Sequence, residues 1–210
     1  MNLTDMRAVV RRDLHDEDED NYRWTDNELD RHIAHAVADF SEAIPREQKT
    51  VKATASGSRE IDISTITDRI MVEAVEYPVD RFPGRYQRFS LWADTLTLLG
   101  DEVPDGSNAN IYYGKLHTLD VSTSTIPAMY EGLIAQGACG YAAVEWAVYA
   151  VNRVNVGGMP APDDFMNWGR EKLSQFRREL KRLGRKNRAR VRSLYKPYYP
   201  PVSRTTDYGP

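Results

Sequence analysis

The sequence predicts an α+β protein. A helical domain is made of two sequence-distant segments, an antiparallel β module is inserted between them, and an extended tail follows. Three observations point that way. Apolar residues recur at helical spacing near the start and again after residue 123. Between about Thr50 and Asp120 the pattern changes to β-branched and aromatic runs separated by turn sequences. Beyond residue 190 the composition turns to proline and tyrosine, which favours extended backbone. The expected boundaries are 1–49 and 123–190 for the two helical parts, 50–122 for the β module and 191–210 for the tail. The β module is expected to hold about four to six strands, as a sandwich or a partly open barrel.

Taken in order, Thr4 is placed to cap a first helix, with Met6, Val9, Val10 and Leu14 following at helical spacing. A run of acids, Asp16, Glu17, Asp18, Glu19 and Asp20, interrupts that pattern. The stretch WTDNEL then opens a second helix with two signals at once. Thr25 and Glu28 have the spacing of a capping box, and Trp24 and Leu29 stand where a hydrophobic staple belongs. Leu29, Ile33, Ala36, Val37, Phe40 and Ile44 lie on one face, and Pro45 closes the helix. The β module is read from VKATASGSREIDIS, RIMVEAVEYPVD, RFSLWADTLTLLG and NANIYYGKLHTL, with RFPGRYQ and DEVPDGS as turns between them.

Helical pattern returns at TSTIPAMYEGLIAQGACGYAAVEWAVYAVNRVNVGG. Ser124 or Thr125 is expected to cap it, Pro127 to sit in its first turn, and Gly157 and Gly158 to stop it. From Gly132 to Val151 only Gln136 and Glu145 are polar. That length would allow a membrane span, but Glu145 would be costly in lipid. The segment is therefore read as a buried central helix whose small residues let neighbours approach closely. Asp163 is expected to cap a last helix, with Phe165, Trp168, Phe176, Leu180 and Leu183 turned inward.

Apolar residues make up 41% of the chain, enough for a core of its own. A formal net charge of −3 gives the chain as a whole no pull on nucleic acid. That small sum hides an asymmetry. Residues 1–50 hold 13 acids and 7 bases, a balance of −6, whereas residues 170–192 hold 11 bases and 2 acids, a balance of +9. The one cysteine, Cys139, allows no internal disulfide and fits a reducing compartment. No apolar run follows a basic start, so no signal peptide is expected.

Each chemistry-bearing group has a plain structural alternative. Asp16, Asp18 and Asp20 match positions 1, 3 and 5 of a calcium loop. The required glycine is Asn21, however, and position 12 is Asn27, so the run reads as the turn between two helices, on a working surface. His32, His35 and Asp39 share helical spacing that could hold a metal, but no further ligand supports it, and both histidines are read as polar residues on an exposed face. Cys139, among alanines and glycines, reads as a small core residue. No nucleophile elbow, phosphate-binding loop or acid–base pair occurs, so neither catalysis nor a cofactor is expected. The stretch KRLGRKNRARVR carries Lys181, Arg182, Arg185, Lys186, Arg188, Arg190 and Arg192. Its partner could be nucleic acid, an acidic protein surface, or solvent alone.

The order of parts carries a resemblance. A short helix holds RRDLHDED. Next comes YRWTDNELDRHIAHAVADFS, a helix that opens on aromatic, Arg, Trp, Thr, Asp, any residue, Glu, Leu. After the β insertion come IYYGKLHTL and a small-residue helix. This resembles the head–tail connector proteins of tailed bacteriophages, also called adaptor or head-completion proteins, over 1–49 and 123–190. The inserted module resembles the tail-tubular-type adaptors of short-tailed phages. The resemblance implies a ring, usually of twelve subunits, docked on the portal protein at the capsid–tail junction of the virion and made in the host bacterial cytoplasm. Such a ring extends the DNA channel, lets DNA pass without specific binding, and offers a platform to the next tail protein, a nozzle or stopper. It implies no membrane partner and no catalysis. Within that picture Asp16 to Asp20 would face the lumen or a basic neighbour. Lys181 to Arg192 would meet the portal or an adjacent subunit, and Tyr195, Tyr198 and Tyr199 would dock the tail. The alternative is a nucleic-acid-binding protein that uses the basic C-terminal helix.

Overall fold

The computed structural model describes residues 1–100, 103–150 and 162–195. They form helices α1 (Leu3–Asp13), α2 (Asp26–Ala43), α3 (Glu131–Ala150) and α4 (Pro162–Ser193). The strands are β1 (Arg46–Ala53), β2 (Glu60–Asp62), β3 (Arg69–Glu76), β4 (Tyr86–Gln87), β5 (Phe89–Trp92), β6 (Thr95–Leu98) and β7 (Asn108–Lys115). The chain divides into two compact units. One is Met1–Arg46 with Lys115–Asn187; the other is Glu47–Gly114 with the chain from Arg188 onward.

In the helical unit, α1 starts two residues earlier than its sequence suggests. Asn2 is the N-cap, in a capping box with Asp5, and Thr4 lies inside the helix. Asparagine wins because its amide oxygen reaches the Asp5 N–H at 2.9 Å while the Asp5 carboxylate reaches back. The second helix starts as expected. Thr25 and Glu28 exchange both capping bonds, and Trp24 and Leu29 are buried in the same cluster. Met6 and Val10 of α1, Leu29, Ile33 and Phe40 of α2, Ala138 and Cys139 of α3, and Phe176 of α4 share that core.

Helix α3 has apolar residues all round, as suits a helix covered on several sides. Its small residues have identifiable neighbours. A Cβ on Gly137 would stand 2.9 Å from the Phe176 ring, and one on Gly140 would stand 2.8 Å from Leu173 Cγ. Cys139 is buried, as expected, and burial pushes its thiol up to about 12. The start of α3 differs from the sequence expectation. Pro127 caps a short 3-10 turn, Ala128–Tyr130, and α3 proper begins at Glu131. Thr125 does not cap it, because its hydroxyl is occupied by the Thr118 backbone and the His117 ring. In α4, Asp163 lies in the first turn. The expected stop at Gly157 and Gly158 lies outside the described residues.

The second unit holds two antiparallel sheets, ordered β1-β7-β3-β4 and β2-β6-β5. Their strands share one apolar cluster, in which Ile61 and Leu96 from one sheet meet Val75 and Ile111 from the other. Strands begin at Arg46, ahead of the expected residue 50, and number seven among the described residues. The extra strands arise because RFSLWADTLTLLG folds as a hairpin, with Trp92 paired to Thr95 across a two-residue turn, and because β4 is only two residues long. Helix α4 runs to Ser193, three residues into the expected tail, because no glycine or proline occurs between Arg185 and Lys196 to end it.

Candidate functional site

The acidic turn comes first. Asp16 is not part of an exposed face. It is buried, and its carboxylate accepts from Arg11 Nη1 at 2.7 Å and from the Arg23 backbone N–H at 2.6 Å. Arg11 is equally buried. It also donates to the Trp24 carbonyl at 3.0 Å and to Asp26 at 2.7 Å, and its guanidinium lies 3.6 Å from the Tyr22 ring centroid. This pair clasps the end of α1 to the start of α2. The hydrogen bond from Arg11 holds the Asp26 carboxyl below the usual range. Asp16 is thus committed to an arginine and to backbone, which removes the first position of the calcium-loop pattern. Among the described residues no group of three or more metal-ligating side chains comes together.

The other four acids do reach solvent. Asp18 caps a 3-10 turn, Glu19–Asn21, by accepting from the Asp20 N–H and the Asn21 amide. Glu17 stands 3.8 Å from Arg12, both side chains largely exposed. Glu19 and Asp20 have no cation partner among the described residues.

His32 and His35 part company. His35 is exposed and stacks on the Tyr141 ring at 4.2 Å, while the Tyr141 hydroxyl donates to Asp39. His32 contradicts the exposed-face expectation. It is buried, with Nε2 2.9 Å from Glu145 Oε2 but off the direction of a hydrogen bond. Arg31 holds the same carboxylate. Burial lowers the His32 pKa against the raising influence of Glu145. His117 is also buried, between the carbonyls of Thr125 (2.9 Å) and Ile44 (3.1 Å), and burial lowers its pKa too.

On α4, Lys181, Arg182, Arg185, Lys186, Arg188, Arg190 and Arg192 are all exposed. Two are engaged within the chain. Arg182 pairs with Glu179, and Arg190 with Glu47 and Glu73. The remaining five have no carboxylate partner among the described residues. Tyr195, expected to belong to a docking tail, is half-buried. Its hydroxyl donates to the Glu73 carbonyl at 3.3 Å, and its ring meets Tyr86 edge-on. Tyr198 and Tyr199 lie outside the described residues.

Two features escaped the sequence reading. The helical unit has a cleft of about 530 Å³ lined by Leu14, His15, Arg23, Asp164, Phe165 and Trp168. The Arg23 guanidinium lies 4.7 Å from the Trp146 ring centroid and 5.1 Å from that of Phe165. Its lining comes from distant segments, so no local pattern announces it. The β unit carries Trp92, 87% exposed, at the tip of the β5–β6 hairpin. Arg69 fixes that tip by donating to Ala93 O at 3.1 Å and to Asp94. A tryptophan beside the dipeptide AD, between two runs of alternating residues, was the available signal.

No protein-family model matches the chain, and no curated protein matches it. Among the described residues, no helix is long and apolar enough to cross a membrane.

Proposed function

We propose that the chain is a non-catalytic structural subunit of a tailed-phage virion, an adaptor that forms a ring at the capsid–tail junction. There it docks on the portal, extends the DNA channel and receives the next tail protein. The observation that carries this reading is the architecture around the second helix. A helical unit built from two sequence-distant segments opens α2 on a buried Trp24 and a complete Thr25–Glu28 capping box, with a β unit inserted before α3. That is the order of parts on which the likeness to connector proteins rests. Surfaces of unlike charge support it further, because a ring needs one patch of a subunit to meet a different patch of its neighbour. We read the two sheets as faces of a sandwich, and the residues after Tyr195 as an extended tail that meets the portal or an adjacent subunit.

The test adds purified chain to DNA-filled, tail-less heads and images them by electron microscopy. Density at a single vertex is expected; its absence defeats the reading. Deletion of residues 196–210 is expected to leave the fold intact and abolish attachment.

One observation favours nucleic-acid binding as a second reading: five exposed cations of α4 have no carboxylate partner among the described residues. Titration with duplex DNA over a range of salt decides it. Micromolar binding that weakens steeply with salt supports this alternative.

A further inference from the structure

Lys181, Arg185, Arg188 and Arg192 stand at i, i+4, i+7 and i+11 of one continuous helix, so they share a face. At about 1.5 Å per residue the stripe is about 16 Å long. All four are exposed, and none has a carboxylate partner among the described residues. Off the stripe, Arg182 and Arg190 are each paired with acids of their own chain. Among the described residues, two of the three off-stripe cations in Lys181–Arg192 are thus paired within the chain, Lys186 being the third, and none of the stripe's four is. Like charges four apart on a helix repel one another, so an anionic partner on this face would relieve Lys181–Arg185 and Arg188–Arg192 together.

The same chain carries a counterpart. Glu17, Glu19 and Asp20 are exposed on a turn whose backbone is already fixed. The Asp16–Arg11 clasp holds one side and the Asp18-capped 3-10 turn the other. Acids presented on a set backbone lose little freedom when they dock. We propose that the α4 stripe of one copy receives the Glu17–Asp20 turn of a second copy, its four cations meeting the outward acids Glu17, Glu19 and Asp20 in a head-to-tail contact. Such a contact is heterologous and repeats from copy to copy, closing a ring when the rotation allows. The inference rests on the adaptor reading and supplies its subunit contact. Nucleic acid fits less well. The residues between the stripe's cations include no aromatic to stack on a base, and phosphate on the stripe would leave the acidic turn without a role.

The experiment uses three full-length chains: wild type, a stripe reversal (Lys181→Glu, Arg185→Glu, Arg188→Glu) and a turn reversal (Glu17→Lys, Glu19→Lys, Asp20→Lys). Circular dichroism checks that each is folded, and sedimentation velocity reads association at low and high salt. Wild type is expected to self-associate, more weakly as salt rises. Each reversal alone is expected to weaken association at least about tenfold, and an equimolar mixture of the two reversals to regain it, because the reversed charges complement each other. The pairing is overturned by a wild type that stays monomeric at every concentration, by a turn reversal that associates like wild type, or by a mixture that stays apart. Salt-sensitive duplex DNA binding lost only in the stripe reversal also overturns it and assigns the stripe to nucleic acid. Capsid attachment is scored independently: attachment by wild type together with a failed mixture removes this pairing and leaves the adaptor reading standing.

Discussion

The acidic turn after α1 and the basic stretch of α4 look like mirror images in sequence, each a dense block of one sign. Folded, they differ in kind. The acidic block is partly consumed by its own fold: Asp16 is buried against Arg11, and Asp18 caps a turn. The basic block keeps all seven cations at the surface and commits two of them to neighbouring acids. Charge density along a chain therefore does not report how much charge is left for a partner. The deciding factor is whether a complementary backbone group (N–H for an acid, C=O for a base) or an opposite charge lies within reach. A helix hydrogen-bonds its own backbone, so its interior offers side chains few free N–H or C=O groups, whereas a turn between helices offers several.

The contrast makes graded predictions. Asp16→Ala takes one of two carboxylates from the buried Arg11, which keeps Asp26 and the Trp24 carbonyl, and leaves the Arg23 N–H without its acceptor, so it is expected to destabilise the protein by about 2 kcal/mol, read as a fall in Tm. A cost below about 0.5 kcal/mol would put Asp16 back among the surface acids. Next comes pH, which separates interior histidines from exterior charge. Burial depresses the pKa values of His32 and His117 in the folded state, so the unfolded chain binds protons more readily once pH falls through the ordinary 6.5. Stability is then expected to be fully present above that value and to fall below it by up to about 1 kcal/mol per histidine per pH unit. His32→Gln should flatten the slope in urea titrations at stepped pH. Arg190→Ala removes a partly exposed ion pair and is expected to cost at most about 1 kcal/mol. Smallest of all, Lys181→Ala and Glu19→Ala are each expected to change stability by less than about 0.5 kcal/mol. A larger loss in either by thermal melting would reveal an intrachain role.

Where a feature depends on residues a few positions apart, the sequence was informative. The Thr25–Glu28 box, the α2 core face, the buried Cys139 and the antiparallel character of the β insertion all belong to that class. The errors follow from competition that local patterns do not show. Asn2 outbids Thr4 because Asp5 can reciprocate, and the Thr125 hydroxyl is diverted to Thr118 and His117. His32 meets Glu145 because α3 packs against α2, and that packing is not written in any local pattern. The cleft under Arg23 was illegible for the same reason, its walls coming from residues 13–23 and 164–168. Charge blocks were legible as blocks; their division into engaged and unengaged members was not.

The Arg69-anchored hairpin has a practical consequence. Of the four tryptophans, Trp24 is buried, Trp146 and Trp168 are half-covered, and Trp92 stands almost wholly in water. Its indole is therefore the one most open to an aqueous quencher such as iodide, and it adds the most red-shifted component of the emission. Whatever settles over that turn will announce itself as a blue shift and lost quenching. The molecule thus carries a native optical probe on its β unit, usable without any label.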